Sequence, residues 1–172
     1  IQARIAQLKE DYRRQIEELV AASQGPVHPA QFLWQVNRVL EPEHVVVLGE
    51  GATRVWTATE LIIPTPGNWV SASDYGCMGY SVGAALGAAV GRPGAPVWCI
   101  TGDGSFQMQM QELATAAQYK LPIAFVIFNN ACLGWIKWGQ EVGREGRHYA
   151  VDFSVNWRFA EAAPAAGVEG VL

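Results

Sequence analysis

The stretch Val97-Trp98-Cys99-Ile100-Thr101-Gly102-Asp103-Gly104-Ser105, answered by Ile123-Ala124-Phe125-Val126-Ile127-Phe128-Asn129-Asn130, decides the fold. Each half opens on a short apolar run rich in β-branched and aromatic residues, which predicts strands over Val97–Ile100 and Ile123–Phe128. Between them, Gln107 to Tyr119 reads as a helix. Strand, crossover helix and strand in that order bring both strand ends to the same edge of a parallel sheet. Open α/β sheets bind their ligands at that carboxyl edge.

The residues at the two strand ends have a shared chemistry. Gly102 and Gly104 let the backbone approach an anion closely, and Ser105 adds a hydroxyl at the start of the following helix. Asp103 alone would repel a phosphate. A magnesium ion removes the conflict, because it takes oxygen ligands in near-octahedral geometry and bridges carboxylates to phosphates. Asn130 would give the same ion a neutral amide oxygen.

Working outward, Ile1 to Ala22 reads as a charged amphipathic helix, with Ile5, Leu8, Tyr12, Ile16 and Leu19 at spacings of three and four. Residues 1–24 are expected to be a linker helix and 25–172 the domain proper, truncated at its C-terminal end. Pro29 to Leu40 predicts a helix before a strand Val45–Leu48, and Thr53 to Leu61 a second helix. The small residues Gly83, Ala84, Ala85, Gly87 and Ala88 in a helix from Tyr80 to Val90 suit close packing on the sheet. Leu133 to Gly139 predicts a short helix whose first N–H groups face the anion. Gly139 to Ala150 reads as a mobile loop, either a lid or an ordinary surface loop. Trp157 to Ala166 suggests a further helix. The fold class is therefore three-layer, doubly wound α/β, with a mostly parallel sheet and helices on both faces.

The chain has 172 residues, half of them hydrophobic, enough for a substantial single core. A net charge of −4 without a basic cluster argues against nucleic acid. No apolar run approaches the ~18 residues of a membrane span. Three cysteines, Cys77, Cys99 and Cys132, lack metal-type pairing and read as reduced thiols of a cytoplasmic protein.

Gly102-Asp103-Gly104-Ser105 with Asn129-Asn130, each after a strand, is similar to the thiamin-diphosphate-binding motif of thiamin-diphosphate-dependent enzymes. The surrounding stretches Gln111-Glu112-Leu113-Ala114-Thr115-Ala116, Leu121-Pro122-Ile123 and Ala131-Cys132-Leu133-Gly134 resemble the acetolactate synthase and glyoxylate carboligase group. The resemblance implies thiamin diphosphate and Mg²⁺ as cofactors, the metal held by Asp103, the Asn130 side chain and the Cys132 backbone carbonyl. It implies further cofactor contacts from Gly102, Gly104, Ser105, Leu133 and Gly134. Tyr75-Gly76-Cys77-Met78-Gly79-Tyr80 is similar to the family's glycine-rich turn: Met78 would prop the cofactor in a bent shape and the Gly76 carbonyl would accept a hydrogen bond from its aminopyrimidine. Gly51, Ala52 and Thr53 match the family's first diphosphate loop, although the family often has Gln-His where Ala52-Thr53 stands. Trp135 falls either in the substrate pocket or in ordinary packing.

The family's catalytic glutamate belongs to a separate pyrimidine-binding domain, and no glutamate here has a matching context, so no catalytic residue is assigned. By resemblance the chain is the diphosphate-binding part of a larger, homodimeric or homotetrameric enzyme, isolated from the domain that completes its site. The implied reaction is decarboxylation of a 2-oxo acid followed by carbon–carbon ligation, with pyruvate giving acetolactate as first choice. Glyoxylate carboligase is the neighbouring alternative. Gly49-Glu50-Gly51-Ala52 also resembles oxalyl-CoA decarboxylase and 2-hydroxyacyl-CoA lyase. Two other classes stay open: a nicotinamide-binding Rossmann domain, for which Arg54 stands where a third glycine belongs, and an inactive binding or assembly module.

Overall fold

The computed structural model describes residues 1–22 and 25–172. Four strands, β1 (Val45–Leu48), β2 (Trp69–Val70), β3 (Val97–Gly102) and β4 (Ile123–Phe128), form an all-parallel sheet in the order β2-β1-β3-β4. β3 is central and in continuous register with both neighbours, Val45 opposite Val97 and Val97 opposite Ile123. The chain steps from β1 out to β2, then back across β1 to β3. That reversal puts successive crossovers on opposite faces and opens a crevice beyond the ends of β1 and β3.

The period-two alternation of the strands divides the core. Val46, Leu48 and Ile100 pack with Leu33 and Val36 of α2 (Pro29–Asn37), with α3 (Ala52–Glu60) on that side. Val45, Val47, Val97 and Cys99 face Ala85 and Ala89 of α4 (Tyr80–Gly91) on the other. The small residues of α4 let its backbone sit low on β3. Burial pushes the Cys99 thiol up to about 12, so it is packing and not chemistry. Phe106, of the one-turn helix α5 (Asp103–Phe106), joins Val82, Leu113 of α6 (Leu113–Gln118) and Phe159 of α8 (Phe159–Ala162) in a third cluster.

The N-terminal helix α1 (Gln2–Ala22) buries none of its residues. It is tied to the domain by the Tyr12 hydroxyl, which donates to the Glu60 carboxylate. Glu60 is itself buried and accepts from Trp34 Nε1 at 2.8 Å. Of the expected boundary, Gln24 lies outside the described residues.

Several expectations need correction. The predicted helix Gln107–Tyr119 is broken: α5 starts at Asp103, a 3-10 turn covers Met110–Glu112, and only Leu113–Gln118 is α-helical. Gln109 departs from helical geometry, with φ −137° and ψ 22°, so the crossover turns a corner instead of running straight. The segment Gly139–Ala150 is not an open loop. Helix α7 (Gly134–Gly143) takes in its first part, and Gln140 holds Tyr149 through paired hydrogen bonds of 2.7 and 3.1 Å. The predicted helix Trp157–Ala166 is short, α8 followed by a 3-10 turn Ala163–Ala166.

Candidate functional site

The end of β1 is shaped by a close approach. Gly49 N–H donates to the Ile100 carbonyl at 2.6 Å, and a Cβ on Gly49 would lie 2.6 Å from the Thr101 Cα. Only glycine fits between these two strands. Gly51 follows at φ +72° and turns the chain into α3, which starts with Ala52 and the buried Thr53.

At the end of β3, Asp103 is buried and both of its oxygens are engaged. Oδ1 accepts from the Gly104 N–H at 2.8 Å, and Oδ2 from the Ala131 N–H, beyond the end of β4, at 2.7 Å. Ala131 has φ +55°, a left-handed conformation that costs a residue with a Cβ about 1–2 kcal/mol. A hydrogen bond to an ionised group contributes about 1.5–3 kcal/mol, enough to hold the turn. Burial raises the Asp103 pKa, and the N–H groups of Gly104, Ala131, Asn130 and Asp103 itself pull it back. The Asn130 side chain bends over the same turn, its Oδ1 accepting from the Cys132 N–H at 3.2 Å.

This turn is backed from outside. Leu133 N–H donates to Val151 and Phe153 N–H to Ala131, forming an isolated antiparallel bridge between Cys132 and Asp152. Lys137 reaches Asp152 at 2.6 Å from α7. Gly134 opens α7, and a Cβ there would sit 2.9 Å from Asn130 Nδ2.

A second turn closes the other side. Ser105 is buried and its Oγ accepts from the Gly79 N–H at 2.8 Å, so this hydroxyl ties the Tyr75–Tyr80 turn to the end of β3. A Cβ on Gly104 would meet Leu133 Cδ2 at 3.0 Å, Met78 Cε at 3.2 Å and Phe153 Cζ at 3.2 Å. Three apolar tips thus converge over a bare stretch of backbone.

These features enclose a cavity of about 410 Å³ at the reversal of strand order. Gly51, Ala52, Thr53, Gly76, Met78, Gly102, Asp103, Gly104, Ser105, Asn130, Cys132, Leu133, Gly134 and Trp135 all line it. Trp135 is about half exposed and stacks on Trp138 with ring centroids 5.1 Å apart, so it is a rim residue and not core. Among the other residues of the wall, Glu50, to which the sequence reading gave no role, is buried, with Oε1 lacking any partner. A larger hollow of about 950 Å³ runs beside β4, between α6 and α8, but it lies away from the β1 and β3 ends and holds neither Asp103 nor Asn130.

The donor set is that of a hard cation with an anion: one carboxylate, a neutral amide and main-chain groups around glycines. No group of three or more His, Cys, Asp or Glu suited to a metal occurs among the described residues.

Known proteins resemble this chain in sequence over most of its length. The acetolactate synthase of Mycobacterium leprae is 34% identical over 153 residues, covering 87% of this chain and 24% of that protein. The acetolactate synthase large subunits of Haemophilus influenzae and Corynebacterium glutamicum are 33% and 38% identical, covering 86% and 72% of this chain. They are matched over 26% and 20% of their own lengths, so the chain spans about a quarter of these relatives. The family model described as thiamine pyrophosphate enzyme, C-terminal TPP binding domain, matches residues 49–172, which begin at the glycine wedged between β1 and β3 and include every residue of the cavity. With sheet, cavity and sequence in agreement, the chain belongs to the family of C-terminal TPP-binding domains of thiamine pyrophosphate enzymes.

Proposed function

We propose that this chain binds thiamin diphosphate through Mg²⁺ as the diphosphate-binding domain of an acetolactate-synthase-like enzyme. The observation that carries the proposal is the Asp103 carboxylate, buried at the reversal of strand order and held between the β3 and β4 ends by Gly104 and Ala131.

In this reading Asp103, the Asn130 side chain and the Cys132 carbonyl hold the metal. The backbone at Gly102, Gly104 and Ser105, with the first N–H groups of α7 after Leu133 and Gly134, faces the diphosphate. Gly51, Ala52 and Thr53 bound it from the β1 side, and Met78 supports the rings from below while Gly76 offers its carbonyl. Bound thiamin diphosphate supplies the electron sink for decarboxylating a 2-oxo acid. The chain's own residues bind, orient and keep charge in place. Asp103 must be ionised to do so despite its burial. A divalent cation beside it would favour the charged carboxylate and so oppose the burial that raises its pKa.

The exposed rim of Trp135, Ile136 and Trp138 faces outward. There a pyrimidine-binding domain, from the same or a partner chain, would close the cavity and supply the family's catalytic glutamate; from a partner chain, it would make the parent at least dimeric. Three free thiols favour a cytoplasmic setting, and no helix among the described residues is long and apolar enough to cross a membrane. The Glu50-Gly51-Ala52 loop keeps a thiamin-diphosphate-dependent acyl-CoA lyase as the second reading.

Calorimetric titration with thiamin diphosphate, with and without Mg²⁺, tests the proposal. Metal-dependent heat supports it; a folded chain that binds a nicotinamide nucleotide instead would overturn it.

A further inference from the structure

Glu50 follows β1 directly, and its side chain is 3% exposed. Its Oε2 pairs with Arg54 Nη1 at 3.3 Å, one turn along α3, and Oε1 is buried with no hydrogen-bond partner. Burying a carboxylate is costly unless it is paired, and an apolar side chain would fill the same space more cheaply. Packing alone does not account for it.

The neighbours of this pair all belong to one turn. The Ala72 N–H faces the Glu50 carboxylate, lowering a pKa that burial raises. Arg54 Nη1 also donates to the Ser73 carbonyl at 3.4 Å. The turn is closed by Gly76 N–H donating to the Ala72 carbonyl at 3.0 Å. Gly76 has φ +59°, and a Cβ on it would stand 3.5 Å from Glu50 Oε2. Glu50 and Arg54 thus meet the turn at Ala72 and Ser73, leave no more than a methyl's room beside Gly76, and line the cavity wall together with Ser73 to Gly76.

We propose that Glu50 is a positioning residue for the ring end of the bound cofactor: with Arg54 it fixes the Ala72–Gly76 turn and so sets where the Gly76 carbonyl stands in the cavity. The inference rests on the proposed function, since it takes the amine-bearing ring of thiamin diphosphate as what Gly76 meets. It assigns Glu50 no part in holding the diphosphate, which lies on the Asp103 and Asn130 side. Carbonyl placement by a buried acid is a local effect, so it separates the two ends of one ligand.

Two probes make that separation measurable: thiamin diphosphate with Mg²⁺, and inorganic pyrophosphate with Mg²⁺, which has no ring. For Glu50→Ala, titration calorimetry is expected to show roughly tenfold weaker binding of thiamin diphosphate, with pyrophosphate within about twofold of the unmodified chain. Glu50→Gln, which keeps the shape and one acceptor oxygen, should recover thiamin diphosphate binding to within about threefold. Should Glu50→Ala fail to fold by circular dichroism, Arg54→Ala replaces it, with the same selective loss expected at about threefold. Equal loss for both probes, or loss for neither, overturns the inference while leaving the site assignment standing. An unmodified chain that binds neither probe overturns the proposed function and this inference together.

Discussion

Asp103 Oδ2 and the Ala131 main-chain N–H meet at 2.7 Å across the gap between the ends of β3 and β4. One carboxylate thus latches the two loops that form the site and stabilises a left-handed residue in the second. The same side chain is the proposed metal ligand, so its structural and binding roles are inseparable by simple deletion.

Asp103→Ala is therefore expected to do two things. Mg²⁺-dependent binding of diphosphate should disappear from the calorimetric trace, and the ligand-free domain should lose about 1–3 kcal/mol of stability because two N–H groups lose their acceptor. A folded variant with unchanged Mg²⁺-dependent affinity would remove Asp103 from the metal site.

Gly134→Ala uncouples those roles. The new methyl would press on Asn130 Nδ2 at 2.9 Å, the far end of a side chain that can swing away. Stability should hold or rise by up to about 1 kcal/mol, because alanine is the better helix former. Mg²⁺-dependent diphosphate affinity should fall roughly tenfold as Asn130 is displaced. Unfolding in urea and calorimetry on the same sample check the two halves.

Gly49→Ala should act in the opposite sense. Its methyl would collide with the Thr101 backbone, which cannot step aside without parting β1 from β3. A loss of about 3 kcal/mol or more is expected, lowering the melting temperature by roughly 10 °C. An unshifted melting curve would contradict the strand contact.

At the N-terminal helix, partial desolvation of the phenol against the domain, the hydrogen bond to Glu60 and its negative charge raise the Tyr12 pKa from 10.0 to about 12. The folded state therefore favours the neutral phenol. Its contribution is fully present below pH 10 and is lost as pH rises from about 10 to about 12. Stability measured across that window should drop more steeply for the unmodified chain than for Tyr12→Phe, which has no proton to lose. Parallel curves would detach α1 from Glu60.

The sequence made the sheet legible where residue type left little choice. Val45–Leu48 and Ile123–Phe128 are uninterrupted apolar runs ended by glycine or asparagine, and both form strands over those residues. β2 escaped notice because Trp69–Val70 is too short to show a period. The break at Gln109 was hidden for another reason: Gln107 to Gln111 contains no glycine or proline to mark it, and Phe106 just before it is locked in the third core cluster. The glycines Gly139 and Gly143 suggested a loop, yet α7 carries both, each with open space where a side chain would stand. At the candidate site, Asp103, Asn130 and the flanking glycines stand out because few residue types suit a metal-bridged anion. Glu50 did not, because no glutamate of the chain has the context of the family's catalytic acid; its burial beside the Ala72–Gly76 turn, more than 20 residues later in the chain, shows only in three dimensions.

β4 ends the sheet among the described residues, pairing with β3 alone. Its outer side borders the larger hollow, lined there by Ile123, Ala124, Phe125 and Ile127, in a run of six residues with no charge and no proline. Such an edge is a template for another strand. Handled by itself at high concentration, the domain is expected to be limited by self-association through this edge sooner than by unfolding, and a lysine on β4's exposed Ala124 would be the simplest guard.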